Sequence, residues 1–177
     1  NTKISRIMEM ISGKINSPLT SSLGRLFDGV AAIIGLRSQV SFEGQAAMEL
    51  ETEAGETVQP PYDYEWTRED IYRVTGRPII RAVARDVQEG LTPAEISARF
   101  HATLVRLFTE LCGVLRADTG LSRVVLSGGV FQNANLLTGL HESLSRNGFK
   151  VYAHSRVPAN DGGIALGQAV IASAMAG

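Results

Sequence analysis

Residues 126–133 read LSGGVFQN, and they stand between Arg123-Val124-Val125 and a long helical pattern. Two adjacent glycines directly after a short apolar strand and before a helix leave backbone N–H groups exposed, and glycine lets an anionic ligand approach the main chain closely. The stretch therefore predicts a phosphate-binding loop. A tight strand-to-helix turn that binds nothing is the alternative.

The segments around this loop predict an α/β fold. The pattern gives a strand at 124–127, a helix at 133–146, a turn at 147–148, a second strand at 149–153 and a final helix from 160 onward. Strands and helices that alternate with short connections are typical of a βαβ unit.

Helices dominate the pattern upstream of the loop. The predicted helices cover 17–36, 44–53, 79–88 and 92–116, with a loop at 54–63 and a short strand at 71–74. Gly90 is expected to end the third of these helices, and Thr92, followed by Pro93, is expected to cap the fourth.

The composition indicates a globular domain. The 177 residues are 44% hydrophobic and 20% charged, with a net charge of −1, so no global field attracts nucleic acid or an anionic membrane surface. The single cysteine, Cys112, excludes an internal disulfide framework and is expected to be a buried small hydrophobe. With no visible signal peptide or bilayer-spanning run, we expect a cytoplasmic protein, and the charge-free stretch 162–177 is expected to form a tightly packed helix.

A second glycine pair occurs in VPANDGGIALGQAV, residues 157–170. Asp161 stands directly before Gly162-Gly163 at the expected start of the last helix, where its carboxylate is either an N-terminal cap or a ligand for a cation or a ribose. Ligands of open α/β sheets bind outside the carboxyl ends of the strands. The two glycine pairs, each placed after a strand and at the start of a helix, therefore predict two walls of one cleft.

Two further positions could line such a cleft. Asp28, in GRLFDGVA, lies on a mainly apolar helix, where an unpaired buried carboxylate is costly. It is either solvated at the surface or an acceptor of hydrogen bonds from ribose hydroxyls. Gly44, in SFEGQAAMELE, would allow a nucleotide to lie against the backbone where the next helix starts.

Five stretches together resemble one known family. They are SPLTSSLGRLFDGVAAIIGL, FEGQAAMELE, ARFHATLV, VVLSGGVFQNANLL and RVPANDGGIALGQA, and they occur in this order from about residue 17 to the end of the chain. They resemble the carboxy-terminal part of the HypF carbamoyltransferases of [NiFe]-hydrogenase maturation. The resemblance extends more weakly to TsaD-type tRNA threonylcarbamoyl transferases and to O-carbamoyltransferases of antibiotic synthesis.

The resemblance implies a fold and a reaction. The fold is the second lobe of an actin/sugar-kinase-like (ribonuclease H-like) α/β superfold that clasps a nucleotide, with added helices. A separate upstream domain would convert carbamoyl phosphate and ATP to carbamoyl adenylate. The TsaD-like domain would then transfer the carbamoyl group to the C-terminal cysteine of the partner HypE, for cyanide ligand synthesis, and release AMP.

The resemblance also implies roles for individual residues. Asp28 corresponds to a ribose-contacting aspartate, Gly44 to the glycine beside the nucleoside, and Asn133, downstream of Gly128-Gly129, to an asparagine that touches the nucleotide. Asp161 corresponds to the family's metal-ligand aspartate, for a divalent metal that is iron or zinc.

The family pattern is incomplete in one respect. The family holds its metal chiefly through two histidines spaced His-x-x-x-His, whereas His101, His141 and His154 have no such spacing. Residues 1–177 begin with Asn1 rather than methionine. We therefore expect them to be the carboxy-terminal portion of a TsaD-like domain in a larger multidomain protein. We expect this portion to be inactive in isolation. His101 and His141 are expected to be packing or surface residues.

Other readings remain open at this point. The chain could belong to an O-carbamoyltransferase or a tRNA threonylcarbamoyl transferase of the same fold. It could also be a non-catalytic protein-binding module. Arg77, Arg81 and Arg85 recur every four residues, and a solvated helix face is the expected role for them rather than a basic binding stripe.

Overall fold

The computed structural model describes residues 2–55 and 58–176, which form seven α-helices and four short β-strands. In chain order they are α1 (Thr2–Ser12), α2 (Leu23–Ile33), α3 (Gln45–Ala54), β1 (Glu65–Arg68), β2 (Tyr72–Thr75), α4 (Arg77–Glu89), α5 (Pro93–Thr119), β3 (Arg123–Leu126), α6 (Ala134–Arg146), β4 (Lys150–Ala153) and α7 (Ile164–Ala176). Short 3-10 turns, Gly129–Gln132 and Asp161–Gly163, precede α6 and α7.

The hydrophobic core lies between α5 and the helices that surround it. Phe100 and Leu104 of α5 are fully buried, as are Phe27 of α2, Leu50 of α3 and Leu140 of α6. The ring of Phe27 meets that of Phe100 edge to face, with 4.9 Å between the ring centroids. This geometry is favourable beyond the apolar area that it buries, so the pair ties α2 to α5.

The α5 helix begins at a capping box and ends at a glycine. The backbone N–H of Glu95 donates to Thr92 Oγ1 at 3.3 Å, and the backbone N–H of Thr92 donates to Glu95 Oε2 at 2.9 Å, which forms a capping box. The helix ends at Gly120, whose φ of +72° places it in the left-handed region. The predicted cap at Thr92 is confirmed, and the helix runs to Thr119 rather than to 116.

The prediction for α2 is wrong at its start. The helix begins at Leu23 rather than at residue 17, because Ser22 is the N-cap and its side chain accepts a hydrogen bond from the backbone N–H of Arg25. Thr20 and Ser22 also bond locally, through the Ser22 N–H and Thr20 Oγ1, and such local bonds compete with a helix.

The region between α3 and α4 contains more structure than predicted. Strand β1 pairs antiparallel with β2, and only the second strand was expected from the sequence. Residues 56 and 57 of the predicted loop lie outside the described residues. Next to the hairpin, the hydroxyl of Tyr62 donates to Asp86 Oδ2 at 2.7 Å, and Arg99 pairs with the same oxygen at 2.7 Å. Removing one partner would leave this buried carboxylate uncompensated.

The predicted βαβ unit is confirmed. Strands β3 and β4 pair in parallel, with Arg123 opposite Lys150 and Leu126 opposite Ala153, and α6 connects them. Leu136, Leu140 and Leu144 of α6 are fully buried. The predicted α/β class therefore holds, with helices forming most of the core.

The two terminal helices of the described chain project from this core. The apolar helix α7 was expected to pack tightly, but all its described residues are exposed, with Val170 and Ile171 each about 60% exposed. A helix of this apolar composition is expected to pack against another surface, and the described residues do not supply that surface. Helix α1 was not predicted; Ile4, Ile7 and Ile11 share one face of it and are also exposed.

No helix within residues 2–55 and 58–176 combines the length and the apolar content that crossing a lipid bilayer requires.

Helices α5 and α6 approach each other closely at Gly139, and this contact gives a stability prediction. A Cβ at residue 139 would lie 2.8 Å from Cγ2 of Val105, a stiff β-branched side chain. We expect Gly139→Ala to lower the free energy of unfolding by about 1–2 kcal/mol, because overpacking outweighs the better helix propensity of alanine. Urea unfolding monitored by circular dichroism measures it.

The matched control is Gly113→Ala. Gly113 also lies inside a helix, but a Cβ there would meet no atom within 4 Å. We expect this change to stabilise the protein by about 0.5–1 kcal/mol. Equal effects of the two substitutions would contradict the close contact between α5 and α6.

Candidate functional site

The carboxyl ends of β3 and β4 carry the two stretches that the sequence analysis singles out. We name residues 127–133 the first glycine loop and residues 154–163 the second glycine loop. Because the strands are parallel neighbours, both loops leave the sheet at the same edge. The backbone N–H of Gly128 donates to the carbonyl oxygen of Ala159 at 2.9 Å, so the predicted proximity of the two loops is confirmed.

The glycines of these loops differ in what the backbone requires of them. Gly128 has φ +112° and ψ 158°, a conformation essentially restricted to glycine. Gly163 is crowded, because a Cβ there would lie 2.8 Å from the carbonyl oxygen of Pro158. Gly129 has no positive φ, and a Cβ there would meet only Cβ of Asn160, at an ordinary 3.8 Å. The backbone therefore requires glycine at 128 and 163 but not at 129.

A serine–histidine pair joins the two loops through their side chains. Ser127 and His154 directly follow β3 and β4, and Ser127 Oγ lies 2.8 Å from His154 Nε2. Both residues are exposed. The sequence analysis did not identify this pair, although the parallel register that places Leu126 opposite Ala153 also places the next two residues side by side.

A cavity of about 180 Å³ lies beside this pair. It is lined by Leu126, Phe131, Gln132, Leu137, Ala153, His154 and residues 157–159. Residues of both glycine loops therefore enclose it, together with the ends of both strands.

Asn133 closes the first glycine loop and caps α6. Its Oδ1 accepts a hydrogen bond from the backbone N–H of Leu136 at 2.8 Å, and its Nδ2 lies 2.9 Å from His101 Nε2. The residue is buried. Its amide is thus engaged inside the protein, so a contact between Asn133 and a nucleotide would add to these bonds or act through the loop.

The tautomer of His101 follows from its neighbours. Nδ1 lies 2.8 Å from the carbonyl oxygen of Ser97, which can only accept, so Nδ1 carries the proton. Nε2 therefore accepts from the Asn133 amide. Burial lowers the pKa of His101, and the hydrogen bond to the Ser97 carbonyl and the carboxylate of Glu51 oppose this effect only in part. The histidine is a core residue, as expected, and both of its ring nitrogens are hydrogen-bonded inside the protein.

This lowered pKa predicts a pH dependence of stability. The unfolded chain, where histidine titrates near 6.5, binds more protons than the folded chain as the pH falls. The stability that His101 contributes is therefore present above about pH 6.5 and is lost as the pH falls toward the folded pKa. Urea unfolding between pH 5 and pH 8, in steps of about half a pH unit, measures how the free energy of unfolding changes with pH.

His141 provides the control, because it is an exposed histidine on α6. We expect His101→Gln to flatten the dependence of stability on pH in this window and His141→Gln to leave it unchanged. An unchanged slope in a folded His101→Gln variant would contradict the account of the buried neutral imidazole.

Asp28 lies on α2 and Gly44 at the start of α3, so neither belongs to a glycine loop. Asp28 is half-exposed on α2 and pairs with Arg25 at 3.2 Å, so its carboxylate is neither buried nor unpaired. Gly44 has φ +83° at the start of α3, and a Cβ there would meet nothing within 4 Å. Among the described residues, no hydrogen bond or ion pair connects Asp28 or Gly44 to either loop. A shared role would therefore depend on a bound ligand that contacts them as well as the loops.

Asp161 does not cap the last helical segment. The cap of the 3-10 turn is Asn160, whose Oδ1 accepts a hydrogen bond from the backbone N–H of Gly162 at 3.1 Å. The carboxylate of Asp161 is exposed and forms no hydrogen bond or ion pair with the described part of the chain. The capping alternative is therefore wrong, because the neighbouring residue occupies that role.

A metal site is not complete in the described residues. Within 2–55 and 58–176, no three histidine, cysteine, aspartate or glutamate side chains lie close enough together to hold an ion. Cys112 is half-buried, and burial raises the pKa of its thiol, which disfavours the thiolate form. Arg77, Arg81 and Arg85 lie exposed on α4, as expected for a solvated face.

Comparison with protein families gives one model that matches most of the chain. Residues 1–168 match the family described as "Carbamoyltransferase, Kae1-like Domain, second subdomain". Among individual proteins, the chain is 38% identical over 155 residues to carbamoyltransferase HypF of Synechocystis, and the aligned region covers 86% of this chain and 19% of that protein. It is also 38% identical over 161 residues to carbamoyltransferase HypF of Rhodobacter capsulatus, covering 90% and 20%.

A solved structure has the same fold. The crystal structure of full-length HypF in its phosphate- and nucleotide-bound form superposes with a TM-score of 0.94 at 48% sequence identity. The match covers 99% of this chain and 23% of that one. The chain thus spans about one fifth of the length of the HypF proteins that it resembles.

Proposed function

The chain belongs to the HypF family of carbamoyltransferases, and we propose from this that it is the carboxy-terminal portion of the Kae1-like transferase domain in a longer multidomain protein, named here the parent protein. The α/β fold predicted from the sequence, the second lobe of a TsaD-like domain, is the fold of this family. The parent protein would act in the cytoplasm, in [NiFe]-hydrogenase maturation.

The proposed reaction is transfer of a carbamoyl group from carbamoyl adenylate to the C-terminal cysteine of HypE. The cysteine sulfur attacks the carbamoyl carbon, a C–S bond forms, and the bond between that carbon and the phosphate oxygen breaks. AMP leaves with the electron pair, and the thiol gives up its proton. Carbamoyl phosphate and ATP would supply the adenylate through an upstream domain of the parent protein.

The first glycine loop is the proposed contact for the phosphate of the nucleotide. The N–H groups of Gly128, Phe131 and Asn133 donate within the chain, so the backbone at Gly129 and Val130 is the part that a phosphate could approach. Gly129 is not required by the backbone itself, which is expected if the absent side chain leaves room for a ligand. Asn133 would hold the end of this loop, since its amide caps α6.

Asp28 and Gly44 are the proposed contacts for the nucleoside. The carboxylate of Asp28 is half-exposed and its partner Arg25 is a surface residue, so ribose hydroxyls could reach it. Open space beside Gly44 would admit the nucleoside against the backbone. These contacts are separate from the glycine loops, as two ends of an extended ligand require.

Asp161 is a candidate for one ligand of a divalent metal, iron or zinc. Its exposed carboxylate without a partner suits that role, but a single carboxylate does not make a site. The described residues therefore do not fit a metal by themselves. The other ligands would come from the rest of the parent protein.

One observation carries this proposal most directly. Two glycine loops, in a chain that is 48% identical to a HypF crystallised with phosphate and nucleotide, meet at the carboxyl edge of a parallel strand pair. That edge is where α/β sheets bind ligands.

The test is carbamoyl transfer with the parent protein and with the 177-residue chain alone. Each is incubated with carbamoyl phosphate, ATP and HypE, and the mass of HypE is then measured by mass spectrometry. We expect the parent protein to add one carbamoyl group to the acceptor cysteine. We expect the isolated chain to add none, because its described residues do not form a metal site. No transfer by the parent protein, or transfer by the chain alone, would contradict the proposal.

A further inference from the structure

The serine–histidine pair at the carboxyl edge of the sheet has no role in the account so far. Ser127 Oγ and His154 Nε2 lie 2.8 Å apart, between two loops that are otherwise joined by one backbone bond, from Gly128 N–H to the Ala159 carbonyl oxygen at 2.9 Å. On the first glycine loop the two bonds come from consecutive residues, Ser127 and Gly128, and on the second loop from His154 and Ala159. Together they fix the distance between the first and the second glycine loop.

The position of the pair argues against a role in folding. Both side chains are exposed, and water can replace an exposed hydrogen bond at little net cost. The core contacts that hold α6 to α5 lie elsewhere, at the fully buried residues Leu136 and Leu140. Loss of the pair therefore changes loop geometry more than it changes global stability.

The loop geometry next to the pair is strained and needs support. Gly128, the residue after Ser127, adopts φ +112° and ψ 158°, a sparsely populated conformation that persists only when its surroundings hold it. His154 also lines the cavity of about 180 Å³ between the loops, with Gln132 and Pro158. The pair thus sits where a ligand of the glycine loops would be placed.

We propose that Ser127 and His154 are positioning residues: their hydrogen bond holds the first glycine loop against the second in the arrangement that binds the nucleotide. This inference rests on the proposed function, because it assigns the pair to the same site. It predicts that the two residues act as a unit, so that removing either side chain weakens nucleotide binding by the same factor.

The experiment is calorimetric titration of the parent protein with AMP, the nucleotide that the proposed reaction releases at this site. We expect Ser127→Ala and His154→Ala each to raise the Kd for AMP about fivefold, as for one lost hydrogen bond that organises a site. The double variant is expected to match the single variants rather than multiply them. His154→Gln, which keeps a nitrogen near the position of Nε2, is expected to restore most of the affinity.

Melting temperatures and two further variants make the result decisive. We expect the melting temperature to stay within about 1 °C of the unmodified protein, since exposed substitutions change stability little, and His141→Ala to leave the Kd unchanged. The inference would be overturned by any of three results. These are an unchanged Kd in the Ser127 and His154 variants, a double variant whose effect is the product of the two single effects, and a loss of affinity that follows a loss of melting temperature. If Gly129→Val weakens binding while the pair variants do not, only this inference fails; if Gly129→Val is also silent, the proposed function fails with it.

Discussion

Gly129→Val in the parent protein is expected to weaken binding of the adenylate and to raise the Kd for AMP tenfold or more, a loss of about 1.4 kcal/mol or more of binding free energy. The backbone at residue 129 has no positive φ, and a Cβ would meet only Asn160 Cβ at 3.8 Å, so the protein itself should accept a side chain. A valine would instead occupy the space that the nucleotide needs. Isothermal titration calorimetry gives the Kd, and a melting curve verifies the fold.

Gly128→Ala is the matched comparison, because strain dominates there. The alanine must adopt φ near +112°, which costs about 1–3 kcal/mol, so we expect lower stability as well as lower affinity. A folded Gly129→Val variant that binds AMP normally would mean that the first glycine loop is only a turn.

Asp161→Asn in the parent protein is expected to reduce bound metal and carbamoyl transfer by orders of magnitude. The change removes a negative charge from a proposed ligand while it keeps the size of the side chain. Thermal stability without metal should stay the same, because the cap of this segment is Asn160 and not Asp161. Elemental analysis of the purified protein, beside a transfer assay and a melting curve, measures all three.

Asp70→Asn is the control for this prediction, since Asp70 is an exposed aspartate beside the β1–β2 hairpin. It should change neither metal content nor transfer. Normal metal content in the Asp161→Asn variant would remove Asp161 from the metal ligands.

The parts of the fold that depend on local chemistry could be predicted from the sequence. Thr92 caps α5, Gly90 ends α4, and α6 connects two parallel strands, as expected. The two helix ends depend on residues within a few positions of one another, and the βαβ unit follows from strand and helix patterns that alternate with short connections. The start of α2 was wrong because Ser22 competes as a cap with the earlier Ser17-Pro18 signal.

The features that depend on distant contacts could not be predicted in the same way. The exposure of α7 was missed because its apolar composition predicts burial, while the surface that would bury it is not among the described residues. Strand β1 has few apolar residues and forms by pairing with β2.

The candidate site divides in the same way. The proximity of the two glycine loops follows from a general rule about strand ends, so the sequence predicts it. The bonds from His101 to Asn133 and from Ser127 to His154 join residues far apart in the chain, and no sequence pattern specifies them. The capping role of Asn160 depends on which of two adjacent side chains turns toward the Gly162 N–H.

Amide hydrogen exchange of the parent protein, with and without saturating AMP, tests most directly whether the two glycine loops bind the nucleotide. We predict that AMP slows exchange in peptides covering 127–133 and 154–163, while peptides from the β1–β2 hairpin, residues 65–75, exchange at the same rate in both states. Tight AMP binding with protection confined to regions outside these two loops would contradict the account.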